Sequence, residues 1–450
     1  MNSVSESPTI EFPSIENKSV FVSFNGGNVS CDAGLLLLKE AEDNIGVIKT
    51  LASCIQDKRD QRYVDHSYHA MLTQRVLQIA AGYEDANDCD SLRTDPILKV
   101  CTGHLPASNA PLASQPTMTR FENTPSRTEL YNIAYAMVDL FQHSYDQEPS
   151  CIVIDFDDTE DIVHGHQQLC LFNGYANEYC FMPLHIYEGL SGKLICTLLK
   201  PGKRLTGAGV LAILKRLVTH LRKRWPNTKI IFRGDSHFTS PQVMQWIDAQ
   251  KHLFFVTGLT TNSILLKQAE ITVQSAQKLF AEHKQKVVLF HSMYYQAKTW
   301  HKAQRVIVKV EVSPEHEDPN IRFIVTNAVN AKATILYSQL YCARGNAELY
   351  IKNHKTYLKS DRTSCHRFIA NQFRVFLHSA AYMLIHYLQH TVLRTTEFER
   401  ATMQTIQLKL FKIGARVKEF HTRIKIELPS AFPLQDIFRS AYRELQLLRC

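Results

Sequence analysis

The sequence predicts an α/β protein in which a mixed sheet is flanked by helices, and three observations point to this class. Short apolar segments with period-two alternation begin at Cys151, which is typical of strands. Between the later strands lie segments with apolar residues three and four positions apart, which predict amphipathic helices. Several strands are therefore followed by helix, strand, helix and strand, an order that implies a mixed sheet.

Each element of this region has its own signal. The first strand carries alternating carboxylates, and Gly and Asn residues separate it from further strands. A long amphipathic helix follows, and Ser240 with Pro241 predicts the start of the next helix. The segments, in order, are CIVIDFD, LCLFNGYA, YCFMPLHIYEG, KLICTLLKPG, TGAGVLAILKRLVTHLRKRW, KIIFRGD, SPQVMQWIDAQ and HLFFVTG.

The remaining segments differ in composition and in the secondary structure that they predict, and these changes suggest domain boundaries. A cluster of acids in GYEDANDCDSLRTDP is interpreted as helix N-caps, not as a metal site. Thr405–Ile413 and Ala415–Leu428 predict a late hairpin. The predicted segments are a loose arm at 1–30, a helical N-terminal domain at 31–148, a core at 149–258 and 331–394, a β-rich insertion at 259–330, and a C-terminal hairpin and helix at 395–450.

The composition favours a globular protein that binds a polyanion. The chain has 450 residues, 45% of them hydrophobic and 21% charged, with a net charge of +8. Between residues 200 and 229 there are nine Lys or Arg and no acid, which is either a solvated face or a polyanion track. No secretion signal and no membrane span are predicted. The 11 cysteines form no CxxC pair, so free thiols in a reducing cytoplasm are expected.

Acidic residues at strand ends are the main candidates for chemistry. Asp155 and Asp157 lie two apart on one strand and so point to one face. Asp235 directly follows another strand, and Glu348 lies on a late helix. Any one of them alone is more simply a loop cap or a solvated group. In combination, their oxygens could hold two Mg²⁺ ions and serve a phosphoryl displacement.

The late helix also carries a basic face. Tyr341, Arg344, Glu348, Lys352 and Lys355 are spaced by three, four, four and three residues, so they share that face. A stripe of ion pairs is the plain alternative. The face has three cations for one acid, however, which favours contact with a phosphate backbone.

These residues resemble the signature motifs of the DDE transposases of bacterial insertion sequences. Within that family the chain is similar to the group 1 members marked by Tyr-x2-Arg-x3-Glu-x6-Lys. The matching residues are Tyr341, Arg344, Glu348 and Lys355 for that motif, Asp157 and Thr159 for Asp-x-Thr, and Asp235 and Phe238 for Asp-x-x-Phe. The resemblance covers about residues 20–445. It implies an RNase H-like core at 149–258 and 331–394, and DNA binding by the helical domain at 31–148.

The resemblance also implies the metal site and the reaction. Asp157, Asp235 and Glu348 are expected to bind two Mg²⁺ ions, with Mn²⁺ able to substitute. Asp155 shares a face with Asp157 and is the other candidate for the first metal ligand. The enzyme is expected to cleave DNA at the transposon ends, to form hairpin ends, and to join the ends to target DNA.

The same resemblance implies the partners. Tyr341, Arg344 and Lys355 are expected to hold phosphates near the cleaved end, and the further candidates for DNA contacts are Thr159, His237 and Trp300. Double-stranded DNA, a homodimer in the synaptic complex and a place at the nucleoid in the bacterial cytoplasm follow as expectations. Two alternatives stay open: a metal-dependent nuclease of the same fold, and a transposase-derived DNA-binding protein without catalytic activity.

Overall fold

The computed structural model describes residues 9–316 and 318–449, and the chain divides into two compact units. One unit is formed by Met1–Thr124 with Leu384–Cys450, and the other by Pro125–Met383. The predicted α/β class is confirmed by an eight-stranded mixed sheet accompanied by many helices. Within the described part of the chain, no helix combines the length and apolarity needed to cross a membrane.

The segment predicted as a loose arm contains strands from Ile10 onward, and its first eight residues lie outside the described part. Its strands are β1 (Ile10–Ile15), β2 (Lys18–Val22) and β3 (Val29–Ser30). β1 and β2 form an antiparallel hairpin. Glu16 and Asn17 form its turn at φ 47° and 65°, because a two-residue hairpin turn that matches the strand twist needs positive φ at both positions.

Six helices follow, as the 3.6-residue pattern predicts. They are α1 (Leu35–Ile45), α2 (Val47–Ser53), α3 (Tyr68–Ala80), α4 (Asp88–Leu92), α5 (Pro96–Cys101) and α6 (Gln115–Glu122). Asp95 caps α5 by accepting hydrogen bonds from the backbone N–H groups of Ile97 and Leu98, both at 2.9 Å. The N-cap interpretation is therefore confirmed for Asp95 but not at α4, whose N-cap residue, Asn87, makes no side-chain capping bond.

A buried carboxylate in this unit makes its stability depend on pH. Glu42 accepts backbone N–H bonds from Ile48 and Lys49 at 2.9 and 3.0 Å. Burial raises the pKa of Glu42 from 4.5 to about 7 in spite of those bonds. The folded chain thus holds a proton that the unfolded chain releases. The stabilisation is complete below the unfolded pKa and is lost as the pH rises through 7.

We therefore expect Glu42→Gln to flatten this pH dependence. Between pH 5 and 7.5 the wild type should lose about 1–3 kcal/mol more unfolding free energy than the variant. Urea unfolding of the full chain, with hydrogen exchange at α1 and α2, measures it. Asp436→Asn, which removes a fully exposed carboxylate, is the control. Equal slopes for Glu42→Gln and wild type would contradict the prediction.

The second unit holds most of the segments predicted as the core, while residues 384–394 of that prediction belong to the first unit. In chain order its elements are α7 (Arg127–His143), β4 (Cys151–Asp158), β5 (Asp161–Ile162), β6 (Leu171–Asn173), β7 (Glu178–Phe181), β8 (Leu184–Glu188), β9 (Leu194–Leu198), α8 (Gly207–Arg224), β10 (Lys229–Gly234), α9 (Pro241–Asp248), β11 (Leu253–Leu259), α10 (Ser263–His283), β12 (Val287–Tyr295), β13 (Gln304–Val312), β14 (Asn320–Thr326), α11 (Gly345–Ile351) and α12 (Phe368–Tyr387).

The large sheet has the strand order β12-β13-β14-β11-β10-β4-β8-β9. β4, β10 and β11 run parallel, while the other neighbours are antiparallel. Helices connect the parallel strands, because a parallel pair needs a crossover. Phe156 on β4 contacts Phe232 on β10 and also Phe238, both edge-on, at ring centroid distances of 5.1 and 6.0 Å. These aromatic contacts pack β4 and β10 against the hydrophobic core. A separate small sheet has the order β5-β7-β6.

The segment predicted as an insertion domain lies in this same unit. Its three predicted strands are present, but β14 pairs with β11 through Val256 and Thr326, so they extend the large sheet. The helix α10 was not predicted. Its Leu265, Ala269 and Ala276 face the core at helical spacing, and this is the signal that could have identified it.

The C-terminal segment contains a hairpin and a helix, but its first strand is not the one that the sequence predicts. Residues 405–413 lie largely in helix α13 (Met403–Ile406) and a π-helical continuation, Gln407–Phe411. The hairpin is instead β15 (Ala415–Glu419) with β16 (Ile424–Glu427), and α14 (Gln435–Leu447) follows. Leu410 and Phe411 are buried four and five residues after Ile406, so this apolar run follows helical spacing, which a short segment alone does not distinguish from a strand.

Candidate active site

The first two predicted acids meet at one edge of the large sheet. β4 and β10 are parallel and pair Phe156 with Gly234, so the next residues, Asp157 and Asp235, lie side by side. Carboxyl ends of parallel strands form the edge at which open sheets place their sites. The Asp157 side chain is 12% exposed and that of Asp235 is 38% exposed, so the pair is only partly hydrated.

A guanidinium group lies between these two carboxylates. Arg344 Nη1 is 3.1 Å from Asp157 Oδ2, and its Nη2 is 2.8 Å from Asp235 Oδ1. Arg344 ends a short 3₁₀ turn, Cys342–Arg344, that leads into α11. The sequence predicted this arginine as a phosphate contact and did not predict its pairing with the acids.

The electrostatics of the pair favour a cation. Burial raises the pKa of Asp157 to about 6; the charge of Arg344 acts against this, and Asp235 and Asp158 add to it. The ionised form of Asp157 is thus held at a cost even with Arg344 present. A further positive charge next to both carboxylates, beyond that of Arg344, would reduce the cost of ionising Asp157.

Glu348, the third predicted acid, lies on α11 and is exposed, one helical turn after Arg344. In the described residues, no three His, Cys, Asp or Glu side chains are arranged so that they could hold a metal ion. The structure thus brings Asp157 and Asp235 together and keeps Glu348 beside their arginine partner. The two converging carboxylates form an oxygen donor set that fits a hard divalent cation.

The other two residues of the helix motif pack near the acids. Lys355 Nζ donates to Thr159 Oγ1 at 3.1 Å and to the backbone carbonyl of Glu160. Tyr341 packs over Gly258 at the end of β11, where an added Cβ would lie 2.8 Å from the tyrosine hydroxyl oxygen. A side chain at position 258 would therefore displace Tyr341.

Asp155, the other candidate for the first metal ligand, is paired within the protein. Both of its oxygens accept from Arg233, at 2.5 Å each, and the two side chains are 0–1% exposed. Arg233 also donates to the carbonyl of Leu340. A Cβ on Gly189 would lie 2.3 Å from Arg233 Nη2 and 2.4 Å from Asp155 Oδ2, so this glycine leaves room for the pair.

This pairing predicts a structural role for Asp155. Asp155→Asn would leave the Arg233 guanidinium buried without its counter-charge, so we expect a loss of about 3–5 kcal/mol in unfolding free energy. Urea unfolding measures it, with Asp157→Asn as the matched control. The control should lose much less, because burial already disfavours the Asp157 charge. A stable Asp155→Asn protein with impaired metal binding would contradict this assignment.

Asp158 and Lys200 form a second charged cluster that the sequence did not indicate. Lys200 Nζ is 2.8 Å from Asp158 Oδ2, and His237 Nε2 is 3.3 Å from Asp158 Oδ1. Burial acts to raise the pKa of Asp158, but the neighbouring His237 ring and the Lys200 charge bring it to about 2. His237, a predicted DNA contact, is therefore held beside the acids by Asp158.

The remaining aromatic candidate is in the core. Trp300 is 8% exposed and lies edge-on to Tyr295, with ring centroids 5.3 Å apart. In this arrangement its ring is covered by the protein, as expected for the packing role that the sequence also allowed.

A cavity opens beside the acids. Asp157, Asp158, Asp235 and His237 line it, together with residues of the β6–β7 turn and of the loop before α8. Arg344 pairs with Asp157 and Asp235, and Lys200 pairs with Asp158, so both signs of charge meet at this edge of the sheet.

One comparison with known protein families agrees with the motifs. A family model described as transposase DDE domain, group 1, matches residues 12–450. No curated protein matches the chain. Among solved structures the chain is similar to a piggyBac transposase, seen by cryo-EM in a synaptic complex with hairpin DNA, at 12% sequence identity and a TM-score of 0.45. That alignment covers 85% of this chain and 80% of the other.

Proposed function

The chain belongs to the transposase DDE domain group 1 family, and we propose that it is the cut-and-paste transposase of an insertion sequence. It is a DNA-cutting and DNA-joining enzyme, and DDE transposases generally depend on divalent metal ions. The observation that supports the proposal most directly lies at the edge of the mixed sheet. There, Asp157 and Asp235 both pair with the guanidinium group of Arg344.

We assign the metal site to Asp157, Asp235 and Glu348, with two Mg²⁺ ions and Mn²⁺ able to substitute. When bound, such ions stabilise the charge that develops on a phosphodiester during displacement. Asp157 and Asp235 supply adjacent carboxylates from two rigid strands, which fixes their separation. Glu348 adds a third carboxylate from the neighbouring helix. Asp155 is left out, because both of its oxygens are bonded to Arg233.

The cations of the helix motif would hold the DNA strand that is cut. Arg344 and Lys355 are within reach of the sheet edge, and a guanidinium group pairs well with phosphate oxygens. Tyr341 and His237 flank the same edge. Thr159 would act through Lys355. Trp300 stays a candidate only if its surroundings open when DNA binds.

The sequence of reaction steps is taken from the family and is proposed for this chain. After cleavage at the terminal inverted repeats, the freed 3′-hydroxyl attacks the opposite strand to give a hairpin, and later attacks target DNA. A homodimer would hold two ends together in the synaptic complex, the helical N-terminal region would bind the repeats, and the protein would act at the nucleoid of a bacterial cell.

An assay with paired ends tests this function. The substrate is a duplex of the terminal repeat taken from the DNA that flanks the gene, together with a supercoiled target plasmid and Mg²⁺. The proposed function predicts cleavage at the repeat, hairpin ends and joined products. Cleavage without joining would favour the metal-dependent nuclease. Binding without cleavage would favour the inactive DNA-binding protein.

A further inference from the structure

The N-terminal hairpin of β1 with β2 forms a two-stranded sheet of its own. Among the described residues, no backbone hydrogen bond joins it to the rest of the chain. A two-stranded hairpin alone is at best marginally stable in water. Its turn adds a cost, because Glu16 and Asn17 both hold positive φ without being glycine. The hairpin therefore needs a further contact to be stable.

One face of this hairpin is apolar except at the turn. Residues paired on neighbouring strands point to the same face, and the pairs on this face are Ile10 with Val22, Phe12 with Val20, and Ile15 with Lys18. The register shifts between Phe12 and Ile15, so a bulge brings Ile15 back to this face. We call the surface formed by Ile10, Phe12, Ile15, Val20 and Val22 the apolar face.

The apolar face is open to solvent in the single chain. Ile10, Phe12, Ile15 and Val22 are 47, 50, 67 and 40% exposed, and Phe24, two residues after β2, is 83% exposed. One exposed apolar residue is ordinary, but a contiguous set marks a contact surface. At about 150–250 Å² for a whole aromatic side chain, and somewhat less for Ile and Val, these residues offer roughly 500 Å² per copy. Two copies would bury about 1,000 Å², the lower limit for a specific interface.

The charge of this segment decides between possible partners. Glu11, Glu16 and Lys18 are the only charged residues from 9 to 29, which gives a net charge of −1. Nucleic acids and anionic lipids attract segments rich in Lys and Arg, so this segment suits neither. An apolar face is complementary to a copy of itself, and an isologous contact covers both faces at once. Pro13 on β1 has no N–H group and disfavours pairing of a further strand along that edge, which favours contact through the face.

We propose that the N-terminal hairpin is a dimerisation element, in which the apolar face of one copy packs on the apolar face of a second copy. The two hairpins then form two stacked sheets with a small apolar core between them, as in other sheet-on-sheet packings. The contact needs no DNA. It is therefore independent of the proposed function, in which a homodimer holds paired transposon ends.

The first test measures self-association of the full-length protein without DNA, by sedimentation velocity over a series of concentrations. Phe12→Ser removes the one aromatic ring of the apolar face. Phe21→Ser is the matched control, because Phe21 is 62% exposed on the same hairpin but pairs with Glu11 on the opposite face.

The second test maps the contact in a chain that keeps an aromatic ring at position 12. A photo-crosslinking benzoylphenylalanine replaces Phe12, and unlabelled copies are mixed with isotope-labelled copies. Mass spectrometry then separates links between two copies from links within one.

We expect the wild type and Phe21→Ser to dimerise equally well. Phe12→Ser should raise the dissociation constant of the dimer about tenfold or more, as expected for loss of an aromatic anchor at an interface. Links from position 12 should end on residues 20–22 of the other copy.

Three results would overturn the proposal: a wild-type chain that stays monomeric at every concentration, a Phe12→Ser chain that dimerises as tightly as Phe21→Ser, or links between copies that end outside the hairpin. The proposed function fails in a different way. A chain that dimerises through the hairpin but does not cleave the terminal repeat keeps this contact and loses the proposed reaction. A chain that cleaves and joins DNA but is monomeric without DNA does the reverse.

Discussion

Replacing Glu348 with Gln is expected to abolish Mg²⁺-dependent cleavage of the transposon end while leaving binding of that end near the wild-type level. Glutamine keeps the size of the side chain and removes its charge. Divalent ions contribute several kcal/mol of transition-state stabilisation, so loss of a ligand should lower the cleavage rate by about 10³-fold or more. Because Glu348 is exposed, the fold should not depend on it.

The measurement pairs single-turnover cleavage with a filter or gel assay of end binding. Glu282→Gln, an exposed carboxylate at the end of α10, is the matched control and should cleave normally. Asp157→Asn and Asp235→Asn should fail as Glu348→Gln does. If Glu348→Gln cleaves as well as the control, Glu348 is not a metal ligand. If it loses end binding as well, its role lies in holding DNA.

The order of strands and helices in the core could be predicted because each element has a local periodic signal. Pairing between distant segments has no such signal. Val256 and Thr326 are 70 residues apart, and their pairing joins the predicted insertion to the core sheet. The hairpin at Glu16 and Asn17 was missed for a different reason, because neither residue is the usual Gly of such a turn.

The candidate site was predictable in part for the same reason. Asp157 and Asp235 end neighbouring parallel strands, so their proximity follows from the strand order. The sequence did not decide whether Asp155 or Asp157 is the first metal ligand, because the two share one face of the strand. Only the position of Arg233, which pairs with Asp155, distinguishes them.

The contact of Arg344 with both acids has a consequence for metal binding. In the structure this guanidinium supplies the positive charge that Asp157 and Asp235 need. A divalent ion bound by the two acids would compete with it for the same oxygens. When DNA binds, Arg344 can pair with a phosphate group instead of with the two acids. Binding of DNA and binding of metal should therefore favour each other.

Arg344→Gln is therefore expected to make the protein less stable without metal and more responsive to metal. Without the guanidinium, the two carboxylates repel each other at a partly buried site. Mg²⁺ should then raise the melting temperature of the variant by about 1–2 °C more than that of the wild type, for each kcal/mol of additional binding free energy. Cleavage should fall by about 10²- to 10³-fold, because a preorganised cation beside the reacting phosphate is lost.

Thermal unfolding with and without Mg²⁺ measures the first effect, and Lys355→Gln is the matched control. Lys355 is the other cation of the motif, but it contacts Thr159 and the Glu160 carbonyl and neither Asp157 nor Asp235. Its loss should weaken DNA binding and leave the response to metal unchanged. If Arg344→Gln responds to Mg²⁺ no more than Lys355→Gln does, then Asp157 and Asp235 do not compete for metal and guanidinium. The arginine would then serve only to hold DNA.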